Sequence, residues 1–231
     1  GQGILSVAKH FPGHGDTAED SHYTLPAVHH DRARLDSVEL LPFKRYIYDG
    51  YAGVMTGHLY VPALDKARNK PVSMSRAVVT DLLQKELGFR GLCFTDALAM
   101  KGATTRKSDN PSVMALLAGN DILLAPAAPI NDFAAVKEAL EEGILDREEI
   151  EVKIIKILQY KYIAGLNDYR PVETKGLSER LNSPHAAWLA AKLNEEAITL
   201  LKNEGDIIPL KQLDKKKIAA LSIGDGVGNE F

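Results

Sequence analysis

Apolar runs too short for helices punctuate this chain, and longer stretches with helical spacing lie between them. Ile4 to Ala8, Ala52 to His58, Gly91 to Thr95 and Asp121 to Ala125 are short and apolar, with glycine or polar residues at their ends. That is the pattern of strands buried on both faces. Between them, residues 31–49 place Leu40, Leu41, Phe43, Tyr46 and Ile47 at helical intervals, with Pro42 suited to a first turn and Gly50 to a C-terminal stop. Ser75 is expected to cap a second helix that runs through Val78, Val79, Leu82, Leu83 and Leu87 to Gly88. Residues 112–118 and 131–142 read as two more, the latter closed by Gly143. Residues 146–165 form a long amphipathic helix whose Ile150, Ile154, Ile155, Leu158 and Tyr162 should pack across the outside of the body.

Apolar strands alternating with helices predict parallel β/α units. About four such units are visible, where a closed (β/α)₈ barrel of the TIM type has about eight. Lys9-His10, His58, Asp96 and Pro126 all follow strands, and in such a barrel the active site is built on that rim. Residues 166–184, with two prolines, two serines and many charges but no periodicity, read as a linker. A helix over 185–202, the apolar Ile207-Ile208-Pro209-Leu210 and a strand over 217–223 follow. The closing Gly224-Asp225-Gly226-Val227-Gly228 lacks the helix and ribose-binding acid of a dinucleotide site, so it reads as a plain glycine-rich loop.

Chemistry concentrates in Lys9-His10-Phe11-Pro12-Gly13-His14-Gly15-Asp16-Thr17 and the Asp20-Ser21-His22 behind it. Three histidines and two aspartates could cage a metal, but glycines and a proline separate them and no helical ligand spacing is present. A carboxylate two residues before an imidazole can orient and charge it on an extended segment, which makes His22 a proton-transfer device with Asp20 as its partner. Asp96 ends its strand in the place Lys9 and His10 occupy on theirs; a helix-capping carboxylate is the alternative. His58 is either a site residue at a strand end or a satisfied core histidine.

Composition narrows the partners. Of 231 residues, 45% are hydrophobic and 26% charged, as in ordinary globular proteins. A net charge of −3 gives no electrostatic case for nucleic acid or an anionic membrane. The single cysteine, Cys93, excludes an internal disulfide and sits in an apolar run, as a structural thiol would. No apolar segment is long enough to span a bilayer. No signal peptide is visible, an absence that is uninformative if the chain starts upstream of Gly1.

The run from Lys9 to Thr17, with Asp20-Ser21-His22 behind it, resembles the signature of glycoside hydrolase family 3 β-N-acetylglucosaminidases of the NagZ type. Phe94-Thr95-Asp96-Ala97-Leu98-Ala99-Met100-Lys101-Gly102-Ala103 resembles the segment carrying that family's nucleophilic aspartate. Ala197-Ile198-Thr199-Leu200-Leu201-Lys202-Asn203 resembles the start of its C-terminal α/β domain. The resemblance implies that residues 1–165 are the second half of a (β/α)₈ catalytic barrel, that 166–184 link it to a further domain, and that 185–231 begin a truncated α/β domain. It implies Asp96 as nucleophile, His22 as acid/base, Asp20 as its partner, and Lys9, His10 and His58 as substrate-binding residues. The loop is expected to move so that His22 meets the substrate. No cofactor and no metal are implied.

The substrate so implied is a saccharide with a terminal β-linked N-acetylglucosamine, as in bacterial cell-wall turnover, in the cytoplasm or the periplasm. A missing N-terminal half-barrel or a second chain would complete the fold. The rivals are a phosphorylase of the same family, a metal-dependent barrel hydrolase with His10, His14 and Asp96 as ligands, and a fragment inactive without its other half.

Overall fold

The computed structural model describes residues 4–21, 23–103, 109–217 and 219. They fall into two compact units, residues 1–169 and 170–231. The first is built on one parallel sheet of β1 (Val7–Phe11), β2 (Gly53–Thr56), β3 (Leu92–Ala97) and β4 (Ile122–Leu124), hydrogen-bonded in chain order. The four strands expected before residue 126 are thus present, and their pairing is the α/β arrangement that strand-helix alternation predicts. Parallel neighbours in sequential order place every C-terminal strand end on one edge of the sheet.

Register along β2 and β3 is regular, with Val54 opposite Cys93 and Thr56 opposite Thr95. It breaks in two places. Ala8 pairs with Val54 but Phe11 with Thr56, and Phe94 pairs with Ile122 but Ala97 with Leu124. Each break inserts one extra residue, on β1 around Lys9 and His10 and on β3 around Thr95 and Asp96. Such bulges re-aim side chains at strand ends. The Lys9–His10 and Phe11–Pro12 peptide bonds are cis.

One face of the sheet carries the main core, where Val54 and Cys93 cluster with Leu35, Val79 and Leu83 from helices and with Leu40 from the turn before one. Phe11 stands edge-on to Phe43 with 5.1 Å between ring centroids, a favoured aromatic geometry. On the other face a Cβ at Gly53 would collide with both Val7 and Phe94, at 2.8 and 3.0 Å. Glycine there lets the two larger side chains close over β2. Val7 is nevertheless 38% exposed, as is Leu124 at the far edge.

The expected helix over residues 31–49 is two helices, α1 (Arg32–Ser37) and α2 (Leu41–Tyr48). Asp31 caps α1 by accepting the Arg34 N–H, and Pro42 lies in the first turn of α2. Ala77–Glu86 is helical but wound with π-type bonds, the Leu87 N–H reaching the Leu82 carbonyl at 2.9 Å. Ser75 does not cap it with its side chain. Its hydroxyl donates instead to Asp65 at 2.5 Å, while its carbonyl accepts from Val78 and Val79.

α3 (Pro111–Ala118) starts on Asn110, whose Oδ1 accepts from the Ser112 and Val113 amides, and stops at Gly119 with φ +115°. α4 (Pro129–Glu141) follows. α5 (Arg147–Ile163) is capped by Asp146, but only Ile150 of its apolar stripe joins a core cluster, whereas Ile154, Ile155, Leu158 and Tyr162 are exposed. What ties α5 to the sheet is polar. Lys156 Nζ lies 2.9 Å from both oxygens of Asp121, whose carboxylate is fully buried and also accepts the Cys93 N–H at 2.8 Å. Lys153 stands 4.0 Å from the same carboxylate, and burial holds its ammonium below the ordinary lysine value.

The second unit contains α6 (Leu177–Leu181) and α7 (Pro184–Ala197), the latter capped by Ser183 through the Ala186 N–H. The helix expected over 185–202 therefore ends earlier. Asn203 closes the next turn, exchanging hydrogen bonds with the Ile208 backbone at 2.7 and 3.0 Å. The strand over 217–223 and the glycine-rich ending lie outside the described residues, apart from Lys217 and Ala219, which are not in a strand. No helix among the described residues is long and apolar enough to cross a membrane.

Removing one partner of a buried ion pair strands the other charge, so Asp121→Ala should lower stability by about 3–5 kcal/mol in urea unfolding. Glu149→Ala, on the exposed side of α5, should change it by less than about 1 kcal/mol. Cys93 is fully buried and its thiol is pushed up to about 11 by burial. It should alkylate only as the chain unfolds.

Candidate functional site at the C-terminal strand ends

Three strand ends meet here. His10 on β1 and Asp96 on β3 face each other, Nε2 to Oδ2 at 3.6 Å, although β2 lies between their strands. Both sit at the bulges, which explains how neighbours-but-one converge. Asp96 is 8% exposed, and its Oδ1 accepts the Ala97 N–H at 2.8 Å. Lys9, one residue before His10, is exposed.

His58 follows β2 and is fully buried. A carbonyl can only accept, so its Nε2 donates to Ala97 O at 3.1 Å, and Nδ1 therefore accepts from the Ser73 hydroxyl at 2.8 Å. The structure places His58 beneath the strand ends with both nitrogens engaged by protein. It bears on the site through Ala97, the residue after Asp96. Burial pushes its imidazole below the ordinary histidine value; the Ala97 carbonyl and the Asp96 charge pull upward without overcoming this. A second support is Asn120, fully buried, which donates to the Ser73 and Ala115 carbonyls and accepts from Thr56 Oγ1. Nothing in local sequence marked Asn120; a buried amide that satisfies itself across three elements is legible only once they are packed.

After β1 the chain enters an open cleft of about 440 Å³ lined by Lys9, His10, His14, Asp16, Arg34 and Glu39 among others. Asp96 does not line this cleft; it lies behind His10. Gly13, at φ +141°, is required here twice over, since a Cβ would also stand 2.8 Å from that of Glu39. Glu39 is itself buried, with one oxygen 3.3 Å from Arg34 and the other without a hydrogen-bond partner. His14 is held on both sides, Nδ1 at 2.7 Å from Thr17 Oγ1 and Nε2 at 3.2 Å from Ser21 Oγ. Asp20 is exposed, and its carbonyl receives the N–H groups of Tyr23 and Thr24. His22 lies outside the described residues.

A divalent ion would find its ligand types at Asp16, His30 and Glu39, whose donor atoms lie within 4.8 Å of one another. That group already carries a cation in Arg34, 3.6 Å from Asp16, and His30 is bonded to Asp16 at 2.8 Å. The other metal set considered, His10, His14 and Asp96, would need His14 to give up Thr17 or Ser21.

Carboxylate and imidazole groups thus gather at the C-terminal ends of parallel strands on a β/α scaffold, the residue types that acid-base chemistry uses. The profile of the Glycosyl hydrolase family 3 N terminal domain matches residues 1–160, and the chain belongs to that family. It is 35% identical to the Beta-hexosaminidase A of Pseudoalteromonas piscicida, over 96% of this chain and 40% of that protein. Among solved structures, a glycoside hydrolase family 3 beta-N-acetylglucosaminidase from Paenibacillus sp. str. FPU-7 superposes with a TM-score of 0.79 and 36% identity, over 88% of this chain and 39% of that one. The beta-glucoside phosphorylase BglX gives 0.80 at 26% identity, over 90% and 39%. The chain thus spans about 40% of the length of these relatives.

Because folding holds His58 neutral where an unfolded chain would take up a proton, its contribution to stability is complete above about pH 6.5 and is lost as pH falls towards the lower folded value. The gap in urea midpoint between the wild type and His58→Gln should therefore narrow as pH is lowered from 7.5 to 5. A gap that widens on acidification would contradict a depressed imidazole.

Proposed function

We propose that the protein carrying this chain hydrolyses terminal β-linked N-acetylglucosamine with retention of configuration. The Asp96 carboxylate attacks the anomeric carbon while the bond to the leaving oxygen breaks, and His22 gives that oxygen its proton. His22 then takes a proton from water as the water displaces Asp96 from the covalent glycosyl-enzyme. Asp20 orients the imidazole and stabilises its charged form. A histidine suits both steps because its ordinary pKa of about 6.5 lets it alternate between acid and base near neutrality. Lys9 and His10 hydrogen-bond sugar hydroxyls. The class of substrate fits the turnover of bacterial cell-wall saccharides.

The observation that carries this reading is the placement of Asp96, nearly buried at a strand end against His10, beside a turn hydrogen-bonded to the residue between Asp20 and His22. The uncovered face around Val7 and the open edge at Leu124 support a further half-barrel, from the same polypeptide or a second chain, as the completion of the sugar site. The likeness to BglX supports a second reading in which phosphate replaces water in the second step.

Trapping with a fluorinated N-acetylglucosaminide and mapping the labelled peptide should find the label on Asp96. Asp96→Asn should lower kcat by about 10⁴-fold or more. A label elsewhere would end the assignment. Turnover that rises in proportion to added phosphate, with a sugar phosphate as product, would select phosphorolysis over hydrolysis.

A further inference from the structure

The segment carrying Asp20 and His22 is fastened through the residue between them. Ser21 is 4% exposed although Asp20 beside it is exposed. Its hydroxyl meets His14 Nε2 at 3.2 Å, and its carbonyl accepts the Gly102 N–H at 3.2 Å. Gly102 belongs to the turn after β3, six residues beyond Asp96. A Cβ there would stand 2.9 Å from the carbonyls of Ser21 and Thr24 and 3.0 Å from the His58 Cβ, so glycine is what allows the turn to reach the loop. On the other side the His14 ring stands edge-on to His10, with centroids 5.9 Å apart, and His10 faces Asp96.

We infer that Ser21 is a latch and His14 a positioning residue: the His14–Ser21 hydrogen bond, together with the Gly102–Ser21 bond, fixes the chain at Ser21, on which the proposed joint action of Asp20 and His22 depends. The inference rests on the proposed acid/base role of that segment. Consecutive Cα atoms lie about 3.8 Å apart, so fixing Ser21 limits the travel of Asp20 beside it. Either imidazole tautomer serves, because the Thr17 and Ser21 hydroxyls can each donate or accept. His14 touches no reacting atom; it acts through Ser21. Misplacing an acid by about 1 Å can cost roughly 100-fold in rate.

Two substitutions of His14 separate the latch from mere packing. Asparagine offers its amide where Nδ1 was and keeps Thr17, whereas glutamine reaches the Nε2 place and keeps Ser21. Both are made in the complete polypeptide that carries this chain. His14→Asn and Ser21→Ala should speed amide exchange over residues 18–24 about tenfold. They should also lower kcat/KM about 10- to 100-fold for an aryl N-acetylglucosaminide whose phenolate needs protonation to depart, and less than about twofold for the dinitrophenyl glycoside, whose phenolate leaves unprotonated. His14→Gln should stay within about threefold of wild type on both substrates. Gly102→Ala approaches the same contact from β3 and should repeat the leaving-group-dependent loss, which keeps a test available if a His14 variant does not fold.

Equal losses with both leaving groups, glutamine no better than asparagine, or unchanged exchange in His14→Asn would overturn the latch. The exchange measurement needs no turnover. If the fluorinated sugar labels another residue, the catalytic reading fails on its own, and exchange still decides whether His14 holds Ser21.

Discussion

Parallel pairing in chain order is the constraint on which the site depends. It sends the ends of β1, β2 and β3 to one edge, and the two one-residue bulges then turn His10 and Asp96 toward each other across β2. A regular ladder would leave residues on alternate strands separated by about two strand spacings, near 10 Å. The irregularities are confined to the strand ends that carry chemistry, while the β2–β3 pairing inside is undisturbed.

Beneath that edge the scaffold relies on buried polar groups that are satisfied across elements. Asn120 joins β2 to the segment before the π-type helix and to α3, and Asp121 joins β3 to α5 through Lys156. His58 extends the same layer to the residue after Asp96. Buried polar networks of this kind are costly when incomplete, so they hold one arrangement of the strand ends against alternatives. The glycines at 13, 53 and 102 do complementary work: each removes a side chain where Glu39, Val7 with Phe94, or the Ser21 carbonyl comes close.

Much of the fold was legible in the chain. Three of the apolar runs became strands within two residues of their bounds and the first became β1 three residues further on, while Pro42, Gly50, Gly88 and Gly143 sit at helix boundaries. Where the reading failed, a longer-range partner intervened. Ser75 looked like a cap, but Asp65 takes its hydroxyl. The stripe on α5 looked like a packing face, yet Ile154 and Leu158 are exposed and lysines make the attachment.

The sequence by itself determined the alternation of strand and helix, the family, and the residue types clustered after β1 and at the end of β3. These are local properties, expressed by periodicity and by motifs that are contiguous in the chain. Only the tertiary structure decided that His58 is buried and bonded to Ala97, that Asp121 meets Lys156, and that His14 and the Gly102 N–H both bond Ser21. Most of these partners stand tens of residues apart. Even His14 and Ser21, seven residues apart, meet only through the path of the loop. No local pattern encodes such pairs, because they form only when the sheet brings distant strand ends to one edge.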